Sequence, residues 1–177
     1  MTIYNLYIFD RHCRCVFFAP WTKTPVSQNP PSSQSQPSVT PSETKPQSMK
    51  DTLGATGMSL EEEAKLVYGV VFSLKNLVNR LSAKAGSEGF LSYRTSTYKL
   101  HYFETPTGLK FVLNTDPTLD SAAMKETLRT IYAQIYVEYV TRNPLAEALR
   151  AQGVEPVQSE LFKGHLGRFI RSVPGFE

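Results

Sequence analysis

The stretch IYNLYIF, residues 3–9, constrains the fold more than any other part of the chain. Read with the two-residue period of a strand, it puts Ile3, Tyr7 and Phe9 on one face, interrupted by Asn5. Tyr4, Leu6 and Ile8 take the other face. A strand that is apolar on both faces must be covered on both, by its own chain or by a partner. The chain then turns through Asp10, Arg11 and His12 and returns as CRCVFF. Here Cys13, Cys15 and Phe17 are expected on one face, with Arg14, Val16 and Phe18 on the other. The opening is read as a β-hairpin.

His12, Cys13 and Cys15 crowd the turn, which raises the question of a metal or thiol site. The arithmetic goes against metal, because a structural zinc needs four ligands, usually from separated clusters. The whole chain has 2 Cys and 3 His, and His101 and His165 stand alone. A cysteine nucleophile needs an imidazole aimed at its sulfur, and adjacent residues at a strand start point apart. Free cysteines are among the residues most often buried as small hydrophobes. No metal, cofactor or catalytic residue is therefore expected. The chain also lacks GxGxxG, GxxxxGK[ST], HExxH and GxSxG.

Residues 22–58 break the apolar patterning. Rich in Pro, Ser, Gln and Thr, they hold too little to bury against the entropy of ordering and are read as a disordered insertion. The rest forms one domain of 1–177, and a chain of 177 residues can build a real core. A net charge of +3 without clustering gives no nucleic-acid footprint, so no nucleic-acid partner is expected. No apolar run approaches the roughly 18 residues of a membrane span, and no signal peptide is expected at the amino terminus. Two cysteines one residue apart fit a reducing, cytosolic setting.

SLEEEAKLVYGVVFSLKNLVNRLSAKAG reads as a helix, N-capped by Ser59, acidic in its first turn and stopped by Gly86. Leu60, Ala64, Val67, Val71, Leu74, Val78 and Leu81 form a stripe, widened by Leu66, Val70 and Leu77, that is expected to face the sheet. Tyr68 and Phe72 fall outside it, beside Lys75, Asn76 and Asn79. An aromatic pair among polar residues either marks a contact surface or is covered by the amino-terminal insertion or a neighbouring helix, and these five are the candidate partner interface. Gly69 would permit close approach of another backbone.

GFLSYRT, YKLHYFE and LKFVLNT follow as a three-strand meander, with Gly108 closing the TPTG link. A second long helix opens at Asp120 or Ser121 and is stopped by Pro144, with Met124, Leu128, Ile131 and Ile135 facing the core. Tyr132, Tyr136, Tyr139 and Val140 broaden that stripe. A last helix carries Leu161, Phe162, Leu166, Phe169 and Ile170. The order ββαβββαα makes an α+β domain, a five-stranded antiparallel sheet with helices packed on it.

Together, IYNLYIFDRHCRCVF, EEEAKLVYGVVFSLKNLVNRLS, YKLHYFETPTGLKFVLNTD and IYAQIYVEYVTRNP resemble the family of the smallest longin-fold core subunits of TRAPP, the transport protein particle. The resemblance spares the 22–58 insertion and about the last thirty residues. It implies a longin-like fold and a scaffold role in vesicle tethering between endoplasmic reticulum and Golgi, within a complex that exchanges nucleotide on a Rab GTPase. It also implies two neighbours, a synbindin-like longin subunit and an acylated small α/β subunit. The Rab would be met only through the assembled complex. Location would be cytoplasmic, peripheral at the cis-Golgi and endoplasmic reticulum, with membrane contact only through the complex. The rivals are a longin regulatory domain of a SNARE, which would carry a following heptad helix and anchor, and a small adaptor-type trafficking subunit, which lacks the likeness at FDRHC.

Overall fold

The computed structural model of the chain describes residues 2–21, 59–81, 90–174 and 176. The expected insertion at 22–58 and the expected helix stop at Gly86 lie outside the described residues. Five strands, β1 (Ile3–Phe9), β2 (Cys15–Pro20), β3 (Phe90–Arg94), β4 (Lys99–Glu104) and β5 (Lys110–Thr115), make one antiparallel sheet in the order β2-β1-β5-β4-β3. Helix α1 (Leu60–Leu81) lies on one face. On the other face pack α2 (Ser121–Thr130), its π-helical continuation (Ile131–Thr141) and α4 (Glu160–Ser172). A short helix, α3 (Ala146–Ala151), and a 3-10 turn, Pro156–Gln158, connect the last two and were not foreseen. All seven residues of β1 are buried, so helices of its own chain cover both faces.

Two irregularities overturn the expected alternation. Between Ile3 and Asn5 the pairing to β5 advances two residues on β1 against one on β5, from Thr115 to Asn114. That extra residue moves Ile3 off the face of Tyr7 and Phe9 and into the layer of Leu6 and Ile8. The hairpin repeats the device, because Phe9 pairs with Cys15 while Ile8 pairs with Phe17, leaving Val16 as the extra residue. Cys15 and Phe18 therefore pack on the α1 side, and Val16 and Phe17 on the other. Cys13 is not in the returning strand. It sits in the turn with φ +65°, a left-handed conformation uncommon outside glycine.

Helix α1 opens with a reciprocal cap. The Ser59 hydroxyl accepts from the Glu62 amide at 3.3 Å, and the Glu62 carboxylate accepts from the Ser59 amide at 3.1 Å. Asp120 caps α2, its carboxylate accepting from the Ala123 amide at 3.0 Å. The expected core stripe of Met124, Leu128, Ile131 and Ile135 is buried. Past Thr130, however, the helix widens to an i→i+5 pattern, with the Arg142 amide donating to the Val137 carbonyl at 2.8 Å. At about 100° per residue an α-helix would turn Val140 roughly 180° from Ile131. The wider turn returns it to the core. In α4, Phe162, Leu166 and Ile170 are buried one turn apart, but Leu161 faces solvent, contrary to expectation.

The strand turns hold together at one end of the sheet. Gly108 has φ +83°, and a Cβ there would lie 3.2 Å from Arg11 Cβ. The buried Lys110 ammonium donates to the carbonyls of Gly108 at 3.0 Å and Asp10 at 3.3 Å, tying the two turns.

Candidate functional site

Helix α1 presents more apolar surface than one sheet face can cover. Ala64 and Val71 are buried against Tyr7, Phe9, Leu100, Tyr102 and Val112, with Leu60 and Val67 packed around them. A helix of 3.6 residues per turn can bury a stripe of little more than ~100°. Leu66, Val70 and Leu77, expected to widen the sheet-facing stripe, instead point to solvent, 59%, 43% and 53% exposed. Leu81, also placed in that stripe, is 76% exposed. Together with Tyr93 of β3, Leu66 and Val70 border a shallow groove floored by Gly69, Ser73 and Leu74. Among the described residues, nothing beyond its chain neighbours and the backbone of its own helix lies within 4 Å of where a Gly69 Cβ would stand.

The five residues singled out in the sequence occupy the opposite flank of α1, which leads toward the hairpin tip. They are not equally free. The Tyr68 ring lies 5.5 Å from Phe9 and stacks on Phe72 at 6.3 Å. Its hydroxyl accepts from the Cys13 thiol at 2.7 Å. Burial, reinforced by that thiol, pushes the Tyr68 phenol up to about 12. Tyr68 is thus partly a structural residue, joining α1 to the turn, while Phe72 is 52% exposed. Lys75 is held by an ion pair with Glu104 of β4, whose carboxylate also accepts from the Tyr102 hydroxyl at 2.7 Å. Burial alone would raise the Glu104 pKa, but the hydrogen bonds of Lys75 and Tyr102 and the positive charges of Lys75 and Lys110 outweigh it and hold it low. Asn76 and Asn79 are exposed.

The two flanks differ in chemistry. One is aliphatic and continuous with the edge strand β3. The other is aromatic and polar and is anchored to the first hairpin. Sequence reasoning named the second and missed the first, because apolar residues on a helix were assigned to the core without asking how wide a core the sheet could offer. The excess width was the available signal.

At the turn, His12 accepts at Nε2 from Arg11 Nε at 3.0 Å, while Cys13 turns toward Tyr68. The imidazole is therefore occupied away from the thiol. Among the described residues, no group of three or more His, Cys, Asp or Glu side chains could hold a metal ion, and no helix is long and apolar enough to cross a membrane.

Comparison with known proteins adds identity to this geometry. The model of the Sybindin-like family matches residues 3–173. The chain is 38% identical over 176 residues to trafficking protein particle complex subunit 1 of Rattus norvegicus, covering 99% of this chain and 97% of that protein. The human protein of the same name matches at the same identity and coverage, 38% over 176 residues with 99% and 97% covered. Transport protein particle subunit bet5 of Schizosaccharomyces pombe is 36% identical over 177 residues, covering 99% of this chain and all of that protein.

Proposed function

The chain belongs to the Sybindin-like family, whose fold is longin-like, and on that premise we propose that it is a core scaffold subunit of the TRAPP complex. In this reading it pairs through the outer face of α1 with a second, synbindin-like longin subunit and also contacts the acylated small α/β subunit. The longin pair forms part of the platform on which a Rab GTPase loses its nucleotide, in transport between endoplasmic reticulum and Golgi. The location is cytoplasmic and peripheral to those membranes, through the complex. The observation that carries the reading is the solvent-facing apolar band of α1, with Leu66, Val70, Leu77 and Leu81 on one flank and Phe72 on the other. A helix that has already filled its own sheet face and still exposes this much aliphatic surface needs a partner.

The chemistry asked of such a subunit is binding alone. An exchange factor accelerates nucleotide release by binding the nucleotide-free GTPase more tightly than the nucleotide-bound form. That requires shape and contact, with no acid, base or metal from this chain. The residues proposed for the partner contact are Tyr68, Phe72, Lys75, Asn76 and Asn79, extended by Leu66 and Val70 across the apex of the helix.

The test is copurification of the full chain with its longin partner, followed by Rab nucleotide release measured for the lone chain and for the assembly. Tyr68→Ala with Phe72→Ala is expected to release the partner while circular dichroism stays native. Leu66→Glu is expected to do the same, because an exposed position tolerates the charge in the free chain. Normal copurification of the double variant would remove the aromatic flank from the interface. Nucleotide release by the lone chain would overturn the scaffold reading.

A further inference from the structure

The sheet ends in β2 at the edge opposite β3, and among the described residues no strand pairs with its outer side. The Trp21 amide donates to the Tyr4 carbonyl at 2.8 Å, while Leu6 stands opposite Ala19 and Ile8 opposite Phe17. Hydrogen-bonded pairs alternate along an antiparallel ladder, so the peptide groups of Trp21, Ala19 and Phe17 face β1 and those of Phe18 point outward. Pro20 leaves only a carbonyl on that edge. The Val16 carbonyl is already used, accepting from the Gln158 side chain at 2.7 Å. Beside this edge lies a groove of about 170 Å³, floored by the buried Phe17 and Leu166 and walled by Ala19, Trp21 and Gly167. We propose that β2 and α4 form a second docking surface, for an extended protein segment that carries one aromatic side chain flanked, two residues away on each side, by acidic ones.

The groove sets the central residue. An apolar cavity of about 150 Å³ holds a benzene ring, so this one takes a single aromatic side chain. Ala19 and Trp21 pack on the α4 side of the sheet. A segment added beside β2 therefore sends every second side chain toward α4. Its backbone meets the outward amide and carbonyl of Phe18, the pairing by which extended peptides join a sheet edge. Gly167 opens the wall. Among the described residues, nothing beyond its chain neighbours and the backbone of its own helix lies within 4 Å of where its Cβ would stand. Glycine is costly inside a helix, and none of the described residues occupies the space it leaves.

Charge sets the flanking residues. Lys163, Gly167 and Arg171 follow at four-residue spacing, which puts them along one ridge of α4. The Lys163 side chain is 41% exposed and pairs with Glu160, itself 90% exposed, a surface pair of little strength. Arg171 is exposed and makes no ion pair among the described residues. β2 carries no charged residue. The rim of the groove is thus cationic. Eight helical residues rise about 12 Å, and the four strand steps between two acids, one on each side of the central residue, span about 13 Å. Strand and helix advance the same way, with Gln158 at Val16 and Phe162 edge-on to Phe17 at 5.1 Å. Two acids of one extended segment reach Lys163 and Arg171 while the residue midway between them enters beside Gly167.

Trp21 is the chain's only tryptophan and lines the groove, so its fluorescence reads occupancy. The probe is the end-capped peptide Ser-Glu-Thr-Phe-Thr-Glu-Ser, titrated into the full chain, with the peptide carrying Lys for both Glu as comparison. The expected result is a saturable change in Trp21 emission, with the acidic peptide bound about tenfold or more tightly than the basic one. Gly167→Leu has room in the free chain and is expected to weaken binding about tenfold or more while circular dichroism and Tm stay native. Lys163→Glu with Arg171→Glu is expected to reverse the preference between the two peptides. Emission that does not saturate by about 1 mM peptide, equal binding of the two peptides, or unchanged binding by Gly167→Leu would overturn the proposal. The titration needs no partner protein and is read at β2, so its outcome stands apart from the proposed α1 interface.

Discussion

Acid should weaken this fold through one buried histidine. His101 of β4 is fully buried, its Nε2 lying 3.0 Å from the Thr115 hydroxyl. Burial, with a smaller contribution from the nearby Lys99 ammonium and against the pull of Asp120, pushes the imidazole down to about 4. In the unfolded chain the ordinary value is about 6.5. Above about pH 6.5 the ring is neutral in both states and costs nothing. As pH falls through 6.5, the unfolded state binds a proton that the folded state refuses until about 4, so stability drops across that window. Between about pH 7.5 and about pH 5 the two values give a loss of about 2 kcal/mol. Urea unfolding at the two pH values measures it, with His101→Gln as the comparison. Asp116 and Glu104 have lowered carboxyl pKa values, so their stabilisation is present above the ordinary carboxylate range and is lost only as pH falls below it, outside this window. The expected outcome is a wild-type loss larger than the variant's by about 2 kcal/mol. Equal losses within about 0.5 kcal/mol would refute the claim that a neutral buried imidazole sits in the folded state.

Two further perturbations test the packing. Phe162 is fully buried, edge-on to Phe17 at 5.1 Å and to Tyr136 at 6.1 Å, so Phe162→Ala should cost about 3–5 kcal/mol and lower Tm by about 10 °C. A loss below about 1.5 kcal/mol would mean that α4 is not docked through this residue. Gly108 and Gly153 both have positive φ, +83° and +75°, but only Gly108 has a neighbour within 4 Å, in Arg11. Each Gly→Ala change should cost about 1–2 kcal/mol from the backbone, and Gly108→Ala at least about 1 kcal/mol more. Equal midpoints in chemical denaturation would show that the Arg11 contact relaxes freely.

Much of the architecture was legible from period and punctuation. The double-sided apolar strand called for covering on both faces, and α1 and α2 with α4 supply it. Ser59 and Asp120 marked helix starts because their side-chain oxygens satisfy amides that no helical carbonyl can reach. Gly108 marked a turn because its φ excludes most other residues. Of the candidate site, the polar and aromatic flank was legible as residue types on one side of a helix. Its unequal anchoring was not, since the partners Cys13, Phe9 and Glu104 are distant in sequence.

What the sequence determined by itself is therefore what depends on local backbone chemistry and on repeat length: the five strands and the three long helical segments, their order, and that the domain is α+β, though not the start of β2 at Cys15 or the short α3 and 3-10 turn. What only the tertiary structure decided is what depends on counting across elements. One extra residue opposite β5 reassigned Ile3, and one opposite β1 reassigned Cys15 and Phe17, because a strand's faces alternate only while its pairing stays in step. Val140, expected to broaden the core stripe, is buried, but through a widening past Thr130 that the sequence pattern did not show. The width of sheet available to α1 left Leu66, Val70 and Leu77 outside, and so decided which of its apolar residues build the core and which face solvent.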